Sequence, residues 1–159
     1  GIKLHHSIDK FTDSHPVVER SKILLRPSQG KYSPVVVDIL YDHFLAKYFS
    51  EYSKVPLLDF VDNAYALFNE RLGELPAPVQ RMLPYMQQYN WLVNYSNREG
   101  LQGVFNGMSR RASFDNTMQM AVDDLYENYD ALEADFREFY PELEANTKKV
   151  LAELSLNSG

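Results

Sequence analysis

Histidine and aspartate recur at helical spacing in two short stretches of this chain, and that pairing has the makings of a metal site. In the first stretch, His5, Asp9 and Asp13 are four apart, so on a helix they stack along one stripe. In the second, Asp38 and Asp42 repeat the spacing and His43 sits one position round. Carboxylate oxygens and imidazole nitrogens together suit a divalent cation, which can activate water for hydrolysis. Two helices aiming such groups at a shared point would form the site.

Each of these residues also has a plainer role open to it. Neighbouring helical positions point about 100° apart, so Asp42 and His43 need not reach one ion. One of them can ligate while the other orients water or a ligand. Asp38 is expected behind the ligands rather than among them. Asp13 can instead cap the helix that opens near Pro16. His6 and His15 read as surface residues. Arg110 and Arg111 can clamp a phosphate by paired hydrogen bonds, or simply form an exposed basic helix end. The chain shows no Ser-His-Asp order, no phosphate loop of recognised spacing and no zinc pattern of Cys and His.

The elements that would carry these groups read as helices. Residues 2–11 fit the helical period loosely. His15-Pro16 marks a break and a restart, because proline suits a first helical position, and a second helix is expected from Pro16 to Leu25. Residues 27–30 read as a turn. Ser33-Pro34 predicts a helix with Ser33 as cap, running to Phe49. A fourth helix is expected from about Ser53 to Leu72 and a fifth from Pro78 to Tyr95. Asn97 to Gly100 reads as a turn, and Leu101 to Arg111 as a helix weakened by its glycines. Met118, Val122, Leu125, Tyr129, Leu132, Phe136 and Phe139 follow at spacings of three and four, a stripe made for burial. Pro141 is expected to end or kink that helix before it resumes from Glu142 to Leu154. No strand or repeat is apparent, so the expected fold class is all-α with one domain over residues 1–159.

Bulk properties narrow the function classes. At 159 residues the chain can bury a real core. With no cysteine there is no disulfide or thiolate metal site, and a reducing cytoplasm is permitted. No apolar run approaches the roughly 18–20 residues of a membrane span, and no signal-peptide pattern is seen; a cytoplasmic location is expected. The net charge of −6 argues against general nucleic-acid binding. The charge is uneven: Arg20, Lys22, Arg26 and Lys31 crowd one early stretch, while Asp115 to Glu144 is acidic. The basic stretch can receive an acidic partner, or be a solvated face. The chain opens at Gly1 inside the first constellation, which leads us to expect natural residues upstream.

The chain resembles the acyl carrier protein phosphodiesterase family, also called acyl carrier protein hydrolases. The resemblance begins in residues 1–13, with His5, Asp9 and Asp13, and continues through Asp38 and Tyr41-Asp42-His43-Phe44-Leu45. Trp91-Leu92-Val93-Asn94-Tyr95, Asn106-Gly107-Met108-Ser109-Arg110-Arg111, Tyr129-Asp130-Ala131-Leu132-Glu133 and Phe139-Tyr140-Pro141 also fit. It implies a helical fold like that of the His-Asp metal-dependent phosphohydrolases. It also implies hydrolytic release of 4′-phosphopantetheine from the serine of holo acyl carrier protein, within lipid metabolism, with a divalent metal, typically manganese. On that basis His5, Asp9, Asp42 and His43 are expected to hold the metal, with Asp42 and His43 catalytic. Asp13, Asp38, Arg110 and Arg111 would support them or contact phosphate. Family members usually start with a further helical segment, expected to supply further metal ligands, that this sequence lacks; on that reading the stretch alone holds an incomplete site. Where the family often has basic residues after its first histidine, His6 and Ser7 stand here, which weakens a phosphate contact at that spot. A phosphohydrolase acting on a nucleotide or other phosphoester, and a non-catalytic helical binding module, are the alternative readings.

Overall fold

The computed structural model describes residues 10–52 and 91–157, with isolated positions at 59, 62, 66, 69, 70 and 73 between them. Every regular element among the described residues is helical, as expected of an all-α chain. The fourth helix and most of the fifth, expected at 53–72 and 78–95, lie largely outside the described residues. So do His5, His6 and Asp9.

After helical residues 10–14, the first long helix, α1, runs Pro16–Gln29. Its cap is His15, whose Nδ1 accepts the Val17 N–H at 3.1 Å. Asp13, expected as a possible cap, stands exposed. The helix continues to Gln29, into the turn expected at residues 27–30. Pro27 is exposed and forfeits only its own N–H bond. The last turn is held instead by Ser28 and Gln29, which both donate to Asp124 Oδ2, at 2.6 and 2.7 Å. Gly30 then turns the chain at φ 54°, a value that side chains resist.

A short 3-10 turn, Gly30–Tyr32, leads into α2, Ser33–Lys47. Ser33 is itself helical, and its hydroxyl donates to the Gly30 carbonyl at 2.7 Å rather than capping the next turn. Two short helices follow in the described residues, α3 (Phe49–Tyr52) and α4 (Trp91–Asn94). The next long helix, α5, runs Arg98–Arg111. Asn97 caps it by accepting the Gly100 N–H at 2.7 Å, so the helix starts where a turn was expected. A 3-10 turn, Met118–Met120, then precedes α6 (Ala121–Glu127) and α7 (Tyr129–Asn157). The break in this final stretch falls at Asn128, not at Pro141, which lies inside α7. Asn128 Nδ2 donates to the Asp124 carbonyl at 3.0 Å and so occupies a backbone acceptor of the last turn of α6.

The described chain resolves into two compact units, residues 1–37 with 123–159 and residues 38–122. In the first, α1 packs on α7. Val17, Val18, Leu25, Leu125, Leu132, Phe136 and Phe139 are buried there. The 3.6-residue stripe thus becomes a core face, and each large side chain removed from water contributes about 1.5–3 kcal/mol. In the second unit, Leu40, Phe44, Leu101, Val104, Phe105 and Met118 are buried, and the 3-10 turn at 118–120 packs on α5.

Candidate functional site

Helix α2 carries both Asp42 and His43, and its pitch sends them to different environments. Asp42 is exposed and His43 is 1% exposed. His43 Nδ1 lies 2.6 Å from the Tyr95 carbonyl oxygen. A carbonyl can only accept, so Nδ1 carries the proton, and in the neutral ring Nε2 holds the lone pair. The ring also meets Phe44 edge-on at 5.2 Å. This buried hydrogen bond fixes the orientation and tautomer of the imidazole, as carbonyl partners do for metal-ligating histidines.

The Asp42 carboxyl is pushed up to about 7, first by burial and then by the like charge of Asp38 one turn earlier. Its accessible surface and its strong desolvation pull in opposite directions. The residue keeps surface in water while nearby protein atoms desolvate its carboxyl and raise its pKa. Asp38 is exposed on the same helix, and the four-residue spacing brings the two carboxyls onto one face. Among the described residues no group of three or more His, Asp or Glu side chains converges as a metal cage. His5 and Asp9 lie outside those residues.

Asp13 and the early basic residues belong to the first unit, where their surroundings differ from expectation. Arg20 Nη2 pairs with Asp135 Oδ1 at 2.6 Å and with Glu138 Oε2 at 2.8 Å. Hydrogen bonds to Glu138 and then Asp135 hold its guanidinium still more firmly protonated than usual. Ser21 Oγ donates to the other Asp135 oxygen at 2.8 Å, in a buried position. Arg26 pairs with Glu19 at 3.1 Å, and Lys22 is 8% exposed. Arg20, Arg26 and Lys22 are thus paired or buried, while Lys31 is exposed, with its Nζ 5.3 Å from the centre of the Tyr32 ring. His15, expected at the surface, is partly buried: its Nε2 meets Glu142 Oε2 at 2.7 Å and its ring meets Phe139 edge-on at 5.0 Å.

Arg110 and Arg111 end α5, where cations favour the helix dipole. Both are exposed, and both line a recess of about 380 Å³. Its floor is the glycine face of α5, Gly100, Gly103 and Gly107, with Asn94 and Glu99 toward the far end. Gly100 lets α5 close on α4, because a Cβ there would fall 2.9 Å from the Asn94 Cα. In the sequence Gly100 reads as part of a turn, and Gly103 and Gly107 read only as a weakness in the helix. Their spacing of three and four was the signal that they share a face.

The acyl carrier protein phosphodiesterase family model matches residues 1–143. An acyl carrier protein phosphodiesterase from Enterobacter sp. (strain 638) is 32% identical over 149 residues, covering 93% of this chain and 77% of that protein. One from Escherichia coli (strain ATCC 8739) is 32% identical over 150 residues, covering 94% of this chain and 78% of that protein. No solved structure matches the chain. The family match spans both the Asp42-His43 helix and the arginine end of α5, and the chain belongs to the acyl carrier protein phosphodiesterase family.

Proposed function

We propose that the protein hydrolyses the phosphodiester of holo acyl carrier protein, releasing 4′-phosphopantetheine, in a reaction that uses a divalent metal, most simply Mn²⁺. The observation that carries this reading is the family match over residues 1–143, with relatives named for that activity at 32% identity. The metal draws support from the donor types and from electrostatics. Asp42 resists ionising because it is crowded and faces Asp38, a situation that a cation would relieve. Carboxylate and imidazole donors fit Mn²⁺ among other divalent ions. When bound, the metal supplies an acidified water and charge neutralisation at the phosphodiester.

The chain's own groups have separable tasks in this reading. Asp42, with His5 and Asp9, would hold the metal. His43, fixed through the Tyr95 carbonyl, would ligate or orient through Nε2. Asp38 and Asp13 would lie behind the first ligands. Arg110 and Arg111 would take the phosphate oxygens, offsetting charge that builds in the transition state.

The test is release of 4′-phosphopantetheine from holo carrier protein across a manganese titration, comparing Asp42→Ala with Asp123→Ala. Asp123 is an exposed helical aspartate, and its loss should change stability by about 0.5 kcal/mol at most. Asp42→Ala should lower activity or metal affinity by about 10-fold or more, since even the loss of supporting groups costs about 10–100-fold. Equal activity in the two variants would remove Asp42 from the site. A preference for nucleotides over holo carrier protein would overturn the substrate.

A further inference from the structure

The recess along α5 has a chemistry of its own. Its two ends are Arg110 with Arg111 and Asn94 with Glu99. Glu99 and Arg110 are eleven residues apart, about 16 Å along a helix. The recess is thus long, cationic at one end and rich in hydrogen-bond acceptors at the other. Between the ends, Gly103 and Gly107 present no side chain and Val104 adds an apolar wall.

Gly103 is the telling position. Gly100 is required by the close approach of Asn94, and a Cβ on Gly107 would come 3.2 Å from Arg111 Nη1. A Cβ on Gly103 would meet nothing within 4 Å. Glycine inside a helix lowers its stability relative to alanine, and among the described residues no neighbour accounts for that loss at Gly103. The space it leaves lies in the recess, on the way from the arginines to Glu99.

We propose that the recess seats the phosphorylated arm of the substrate: a slender amide-bearing chain, its phosphate at Arg110 and Arg111 and its far end toward Asn94 and Glu99. This deepens the phosphodiesterase reading and rests on it for the identity of the arm. The charge match favours this occupant. A phosphate suits paired guanidinium forks, and amide or thiol donors suit a glutamate and an asparagine carbonyl. A groove walled by Val104, with no side chain at Gly103 or Gly107, suits an unbranched chain.

Calorimetric binding of 4′-phosphopantetheine, in EDTA so that no metal contributes, tests the site apart from turnover. The wild-type protein should bind it at least 10-fold more tightly than dephosphorylated pantetheine or inorganic phosphate. Gly103→Val and Gly103→Leu should weaken it in graded fashion, with Leu losing 10-fold or more and circular dichroism unchanged. The Arg110→Ala, Arg111→Ala double variant should erase the difference between pantetheine and its phosphate. Equal affinity in Gly103→Val and wild type, or inorganic phosphate binding as tightly as the arm, would overturn the proposal. If arm binding follows this pattern while holo carrier protein is not cleaved, the phosphodiesterase reading fails and the recess does not.

Discussion

Single residues show how far type and spacing carry an argument. Asp42 was legible as a chemical group from its place beside His43 and one turn after Asp38. Its raised carboxyl adds a consequence for stability. Below about pH 3.8 the group is protonated in both folded and unfolded chains; between there and about pH 7 only the folded chain keeps the proton. The folded state thus binds more protons, and stability falls as pH rises through that window before levelling off. In EDTA, Asp42→Asn should flatten this dependence, read as urea midpoints at pH 5 and pH 8. Identical slopes for variant and wild type would show that Asp42 is not the titrating group. Asp135 was not legible at all, because its role depends on Ser21 and Arg20, more than a hundred residues away. Asp135→Ala leaves the buried Ser21 hydroxyl without that partner and should cost about 1–3 kcal/mol, measured by denaturant unfolding. His15 makes the same point: a residue that reads as surface in the chain becomes a helix cap and a partner of Glu142.

Among the elements, the buried stripe of the last two helices was readable from period alone. Their ends were not. Pro27 and Pro141 both lie inside helices, and both are exposed, where water can serve the carbonyl one turn back. The real punctuation comes from hydrogen bonds that propensity does not encode. Asn97 starts α5 through its side-chain amide, and at Asn128, between α6 and α7, the side-chain amide shares the Asp124 carbonyl with the Asn128 N–H. The glycines of α5 give this scale its prediction. Gly100→Ala forces a methyl group against Asn94 and should destabilise by about 1–3 kcal/mol, as overpacking does. Gly103→Ala meets open space and should stabilise by about 0.5–1 kcal/mol. Thermal melts of the two variants should move in opposite directions. A fall in both would mean that Gly103 is needed by the fold itself.

Over the whole molecule, the early basic and late acidic stretches looked like a split surface. In the first unit they meet: Arg20 is taken up by Asp135 and Glu138, and Asp124 by Ser28 and Gln29. Part of the charge asymmetry is thus taken up where Arg20 meets the acidic stretch. Among the described residues no helix is long and apolar enough to cross a membrane. Metal binding should register on the whole fold, since a ligand that binds only the native state stabilises it. At 100 times its dissociation constant, Mn²⁺ would add about 2.7 kcal/mol, raising the melting temperature by about 5–10 °C at this chain length. Protein bearing the complete ligand set should show that rise in scanning calorimetry against EDTA. An unchanged melting temperature would count against a resident metal.

Helical class, the core stripe and the chemical identity of the candidate groups follow from the sequence itself, because side-chain type and the 3.6-residue period are local properties. Family membership is legible there too, in short motifs whose order is kept along the chain. The partners are what tertiary structure decides. The Tyr95 carbonyl behind His43, the carboxylates that occupy Arg20 and the recess under Arg110 and Arg111 all join residues from different elements. Packing a helix fixes which of its faces meets water and which meets a neighbour. Two adjacent residues such as Asp42 and His43, equivalent in the chain, thereby acquire opposite surroundings, one solvent-exposed and one buried.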